Sequence, residues 1–378
     1  MIALRNGVRR IALVTLPLVI AACATTQTPT APGSVARLTV AEGRALVDRL
    51  LPASVSDREG WATDIHAAFA ALGLPETREN VCAAIAIAEQ ESGLRADPPV
   101  PGLARIARKE IDARRERAGV PVFVLDAALA LTSANGKSYG ERLDSVRTEG
   151  QLSELFDEFI DRAPFGRTLF ADRNPVRTGG PMQVSVAFAE AQAEAAPYPY
   201  PIDRSIRREV FTRRGGVYFG IAHLLDYRAP YDRDLYRFAD FNAGRYASRN
   251  AAFQHALTQV SGIPLTQDGA LLRYENGKPA DEASATEAAA RVAGRRFDLT
   301  ADDVRRDLAR GRSDAFERTA LYEKVFAEAD RMTGTRSARA LVPQIVLQSP
   351  KITRRLTTEW FARRVDARFE RCLQRGGS

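Results

Sequence analysis

The sequence predicts a mainly α-helical protein. Three observations carry this. Ala, Arg, Leu and Glu dominate the composition, while runs of β-branched residues are few. Apolar residues recur at helical spacing in stretches such as Trp61, Ile65, Ala68, Phe69 and Leu72. Polar capping residues and Gly or Pro stops punctuate those stretches. Apolar residues make up 45% of the 378 and charged residues 27%, the balance of a globular chain and not of a disordered or membrane-spanning one.

The first residues read as an export leader. Arg5, Arg9 and Arg10 precede an apolar run, Ile11 to Ala22, that is too short for the roughly 20 residues of a spanning helix. Residues 23–37 are rich in Thr, Pro, Ala and Ser and form a flexible tether. The formal charge is +7; without the three leader arginines it is +4 (7 − 3). That modest positive balance suits an anionic polymer. A nucleic-acid partner is not expected, because no basic stripe interleaved with aromatics occurs.

Thr39-x-x-Glu42 reads as a capping box opening a helix that ends before Pro52, and Ser56-x-x-Glu59 as a second box. Thr77 to Gly93 is a third helix. Its stretch Val81 to Ala88 is apolar on every face, so it is buried all round. It closes on Glu89-Gln90-Glu91-Ser92-Gly93, acids at a helix end where the macrodipole prefers cations. Such a breach of a local rule points to function. Further helices are expected over 103–163, broken at Gly119-Val120-Pro121 and Asn135-Gly136, and over 184–195. Gly215-Gly216 opens another through Tyr227, and Ser248 caps one carrying Phe253 and Leu257. Leu271 to Gly277 reads as a hairpin turning at Asn276-Gly277, and 282–286 as loose chain. Thr300 opens a C-terminal helical set, in which Ser313 caps the long helix through Met332.

Chemistry is narrowed by what is missing. His66, His223 and His255 have no metal-ligand spacing, so no metal and no cofactor is expected. No phosphate-binding, dinucleotide or serine-hydrolase signature occurs. Cys82 and Cys372 either pair, if the compartment is oxidising, or stay as two buried thiols.

Ile20-Ala21-Ala22-Cys23 resembles the lipobox of bacterial lipoproteins. The resemblance implies cleavage before Cys23, a diacylglycerol on its sulfur and an acyl chain (palmitate) on the new amine. Ala24, not aspartate, follows. By resemblance this favours an outer-membrane lipid anchor, with the globular part facing the periplasm. The whole chain further resembles a family of proteobacterial lipoproteins of unassigned function.

Three pieces occur in order: Glu91-Ser92-Gly93, Gly180-Pro181-Met182-Gln183 and Asp240-Phe241-Asn242-Ala243-Gly244. Together they resemble the motifs of soluble-type lytic transglycosylases, in the lysozyme-like superfamily close to goose-type lysozyme. The implied fold is a lysozyme-like helical domain over 38–262 with a large helical insertion at 94–179. A hairpin region at 263–286 and a helical C-terminal extension at 287–378 follow it. The implied substrate is the peptidoglycan glycan strand, cut between MurNAc and GlcNAc to leave a 1,6-anhydro end. Glu91 matches the catalytic acid/base, Ser92 the serine that shapes the site, Met182 and Gln183 the pair lining the glycan groove, and Asn242 and Gly244 the last motif. Physical chemistry supports Glu91 separately. A carboxyl among apolar neighbours has a raised pKa and can deliver a proton to a poor leaving group. Glu89, two residues away, points roughly 160° aside.

The chain departs from that family's pattern in three places. Phe241 stands where the family has tyrosine, with Tyr218 and Tyr246 as candidate substitutes. Pro181 replaces leucine, and the 94–179 connection is long. Asp240 is expected on the solvated surface. Two further readings stay open: a peptidoglycan-binding scaffold lipoprotein without chemistry, and a hydrolytic muramidase.

Overall fold

Side-chain caps set where most of the helices begin. The computed structural model describes residues 37–162, 174–275, 277–347 and 354–376. The leader, Cys23, the tether up to residue 36 and Asn276 lie outside the described residues.

Helix α1 (Val40–Leu50) opens on the Thr39/Glu42 capping box. Helix α2 (Arg58–Leu72) is capped by Asp57, held in the left-handed region at φ 52°, and not by Ser56 as expected. Asp57 wins because its carboxylate accepts from the Gly60 N–H. Helix α3 (Arg78–Ser92) runs between the Thr77 cap and Gly93. The expected insertion contains α4 (Leu103–Arg117), α5 (Val122–Ala130), α6 (Tyr139–Ser145) and α7 (Glu149–Arg162), broken where the Gly-Val-Pro and Asn-Gly signals stand.

A two-stranded ladder follows, β1 (Thr178–Gly179) against β2 (Val184–Ser185), then α8 (Val186–Ala195) and the short α9 (Ile206–Val210). Helix α10 (Arg213–Leu225) starts two residues before the expected Gly215, because the Thr212 hydroxyl caps it. Helices α11 (Asp234–Ala243) and α12 (Ala247–Ser261) come next. Ser248 lies inside α12 and not at its cap; its hydroxyl donates to the Tyr236 carbonyl.

Strands β3 (Tyr274–Glu275) and β4 (Lys278–Pro279) pair antiparallel, and Leu271 and Leu272 just before them are buried; the turn residue Asn276 expected between them lies outside the described residues. Residues 282–286 are tighter than expected: Ser284 caps α13 (Ala285–Arg295) and accepts from Glu287 N–H. After α14 (Ala301–Ala309), Ser313 precedes a 3-10 turn (Asp314–Arg318), and Thr319 in its place caps α15 (Ala320–Thr333). A last ladder, β5 (Val346–Leu347) with β6 (Leu356–Thr357), leads into α16 (Thr358–Arg375).

Three apolar cores result. The first joins α1, α2, α3, α10, α11 and α16; Val81 to Ala88 of α3 are at most 2% exposed. The second gathers α12 to α15 around Phe253 and Phe316. The third holds α4, α6 and α7 around Leu103, Leu143 and Leu155. The mainly α class therefore stands. Helix α12 belongs to the second core, and α16 returns to the first, because Phe361, Val365 and Phe369 face α3 and α11. Cys82 of α3 and Cys372 of α16 form a disulfide, their Cα atoms 5.5 Å apart.

A cross-link spanning 290 residues removes much of the unfolded chain's freedom. Cys372→Ala should lower unfolding free energy by about 2–5 kcal/mol. A denaturant titration beside the oxidised parent measures it; equal midpoints would contradict a closed disulfide.

Candidate functional site

Helix α10 holds all three motif segments. It packs against α3, against β2 and against α11. Its sequence explains how. Gly216 and Gly220 lie one turn apart on the face that meets the Gly180–Gln183 turn. A Cβ on Gly216 would sit 2.2 Å from Pro181 Cδ, and one on Gly220 2.3 Å from Met182 Sδ. Gly180, at φ 74°, presses its own Cα against the Val210 carbonyl, where a Cβ would fall at 2.0 Å. Pro181 thus fits a bare helical surface.

This packing changes the expected role of Met182. At 1% exposure the side chain is core filling under the turn, not a groove contact. Gln183 differs: it is exposed in part, takes φ 51°, and its Nε2 donates to Glu149 Oε2 at 3.1 Å. Glu149 opens α7 and is itself buried. Next to it, the Gly150 N–H donates to Asp97 Oδ1 at 3.2 Å. Burial, and secondarily the Glu149 charge, push the Asp97 pKa up against the hydrogen bonds that lower it. Gln183, Glu149 and Asp97 therefore form one connected polar group. Sequence reasoning missed the two acids. Glu149 reads as an ordinary helix-opening acid that favours the macrodipole, and nothing local marks Asp97.

Glu91 is partly buried on the last turn of α3. Gly93 and Leu94, both at positive φ, end the helix with Leu94 N–H on the Ala88 carbonyl. Ser92 secures the same end: its hydroxyl donates to Ala88 O at 2.9 Å and accepts from Arg95 N–H. Six residues after Glu91, the chain reaches Asp97. Glu89 faces elsewhere, 3.6 Å and 3.5 Å from Arg368 and Arg371 of α16. It ties the last helix down, as a residue on the opposite side of α3 should.

A cavity of about 770 Å³ borders this group, with Asp97, Gly150, Asp157, Arg207 and Phe211 on its wall. That volume suits a small-molecule or sugar-sized ligand. Among the described residues the wall takes Asp97, while Glu91, Gln183 and Asn242 do not line it.

The third motif divides. Asp240 is fully buried, not solvated as expected. It accepts from the Tyr227 and Tyr231 hydroxyls and from the N–H groups of Tyr246 and Ser248, locking α11 to α12. Burial pushes its pKa up, offset in part by those donors. Asn242 is exposed and accepts from Thr358 Oγ1 at 2.9 Å. Gly244, at φ 105°, lets the chain leave α11. Phe241 packs edge-on against His223, 5.0 Å between rings, and Phe188 closes the other side at 4.8 Å. His223 Nδ1 is buried without a hydrogen-bond partner in the structure, and burial, aided by Arg245, lowers the ring's pKa to about 4. The candidate substitutes for a tyrosine hydroxyl are engaged elsewhere. Tyr218 donates to the Pro197 carbonyl, and the Tyr246 ring lies under the Arg249 guanidinium. Among the described residues no cluster of His, Cys, Asp and Glu is arranged to hold a metal ion.

These helices and the shared turn define a mainly α protein whose family has no assigned activity. The chain belongs to the family described as protein of unknown function (DUF1615), whose model matches residues 54–375. It is similar to the uncharacterised protein YaiW of Escherichia coli strain K12, at 52% identity over 330 residues, covering 87% of this chain and 89% of that one. No solved structure matches it.

Gly216→Ala gains about 1 kcal/mol of helix propensity, but overlap with Pro181 and the Val210 carbonyl outweighs it. A net loss of about 2 kcal/mol is expected, read as a lower melting temperature; an unchanged one would show that the turn does not press on α10. His223 carries a pH signature. Its folded pKa lies below the unfolded value, so its contribution is intact above about 6.5 and is lost as pH falls toward 4. Over that window the parent should lose about 3 kcal/mol relative to His223→Phe; parallel stability curves would refute the neutral buried ring.

Proposed function

We propose that this protein is a lipid-anchored peptidoglycan lytic transglycosylase with a lysozyme-like catalytic fold, in which Glu91 is the catalytic acid/base. The observation that carries the reading is that three motifs distant in sequence, bearing Glu91, Gln183 and Asn242, belong to segments packed on the single helix α10. Chance matches have no reason to share one support.

The chemistry needs one carboxyl with two duties. Glu91 gives its proton to the glycosidic oxygen as the C1–O bond of MurNAc breaks. The resulting carboxylate takes the proton of the sugar's C6 hydroxyl as that oxygen closes on C1, so the 1,6-anhydro product forms without water. Gln183, with its amide nitrogen directed to Glu149 and the Gly180 carbonyl, is the positioned polar side chain for the glycan. Asn242 contributes from the end of α11, and Ser92 fixes the end of the helix that bears Glu91. Acylation of Cys23 would hold the protein on the outer membrane, facing the periplasm, within reach of the wall.

One observation favours a second reading, a peptidoglycan-binding protein without turnover. Phe241 brings no hydroxyl to the site, and its ring is committed to His223. A muramidase acting with water is separated by product.

Incubating purified sacculi with the protein and analysing the released fragments by mass spectrometry distinguishes these readings. Anhydromuramic ends are expected, falling by 10²-fold or more in Glu91→Gln, about the size of a lost general acid/base. Reducing muramic ends would mean hydrolysis. Sacculus binding without fragments, equal in both forms, would leave the scaffold reading.

A further inference from the structure

Helix α5 breaks the burial logic of the remaining helices. Its nine residues, VFVLDAALA, are the most apolar of any described helix, yet none is buried. Phe123 is 71% exposed, Val122 54%, and Leu131 just beyond its end 57%. Asp126, also exposed, is its one charged residue, and a helix otherwise so apolar belongs in a core or in lipid. It is too short to cross a bilayer: nine residues rise about 14 Å against a hydrocarbon core of roughly 30 Å.

The preceding helix supplies the complementary charge. Helix α4 carries six Arg and Lys against three Asp and Glu. Arg105, Lys109, Arg114 and Arg117 are exposed, and Arg114, Arg115 and Arg117 crowd its last turn, only a few residues before Val122. Arg115 reaches across that gap to donate to the Val120 carbonyl, which holds the basic end of α4 beside the start of α5. The ion pairs of Arg114 and Arg117 to Glu110 are exposed and therefore weak.

We propose that the segment joining the basic end of α4 to α5 docks on an anionic phospholipid surface. Val122, Phe123 and Val124 enter the headgroup boundary, and the arginines at the end of α4 pair with lipid phosphates. Apolar residues beside a basic cluster are the combination that holds a helix in a membrane interface. The contact uses residues of the insertion alone, so it depends neither on acylation of Cys23 nor on the activity proposed for Glu91.

Hydrogen exchange read by mass spectrometry on the full chain tests this, because it localises contact even where another part of the chain also binds lipid. With phosphatidylglycerol vesicles, amides over 120–131 should exchange several-fold more slowly, and this protection should fade in high salt. Phosphatidylcholine vesicles should give little. Phe123→Ser with Val124→Ser should abolish the protection while the melting temperature stays that of the parent, since neither side chain is buried. Two results overturn the proposal. One is unchanged exchange over 120–131 when the chain co-sediments with phosphatidylglycerol vesicles. The other is protection that rises with protein concentration in the absence of lipid, which would assign the face to a second copy.

Discussion

The close approach of the Gly180–Gln183 turn to α10 is the constraint on which the rest depends. Two glycines one helical turn apart remove the side chains that would keep the turn away, and Pro181 and Met182 fill the space. Seated there, Gln183 reaches Glu149, and the start of α7 is fixed beside Asp97. The insertion is thus joined to the first core through polar contacts as well as through Phe211, which packs on both. Helix α10 gives up helix propensity at three glycines, Gly215 included, and recovers stability by being buried along most of its length.

Two buried charges organise the other side of the molecule. Asp240 collects two tyrosine hydroxyls and two backbone N–H groups where α11 passes to α12. Arg249, 1% exposed, donates to the carbonyls of Gly311 and Ser313 and so ties α12 to the turn that precedes α15. Each is satisfied by neighbours from more than one segment, which is what makes a buried charge tolerable. They sit near one another at the start of α12, so the transition from the first core to the second is a polar joint between oily layers.

How much of this was legible follows from the range of the forces involved. The helices were readable because caps and periodicity are local: Thr39, Thr77 and Thr300 each sit where a helix starts. Misplaced starts, at Ser56, Ser248 and Ser313, came where a neighbouring residue had better geometry, a competition that composition cannot decide. Glu91, Gln183 and Asn242 could be singled out by motif. Asp97 and Glu149 could not, because only tertiary packing brings a loop carboxyl onto the first turn of α7. Asp240 differs from its expected place for a related reason: a lone aspartate looks solvated in sequence, and only the fold brings the Tyr227 and Tyr231 hydroxyls to it. The division into cores was hidden by the return of α16, a long-range pairing that leaves no mark in local sequence.

That return has a temporal consequence. The oily flank of α3 is covered by a helix almost three hundred residues downstream, and the sulfur of residue 82 waits for that of residue 372. A chain emerging from its amino end must therefore keep the apolar stretch Val81 to Ala88 partly unsheltered until nearly everything else has been made, which exposes it to aggregation and to chaperone capture. Maturation is in this sense gated by the late segment: only when it arrives does the helix that presents Glu91 acquire a settled home.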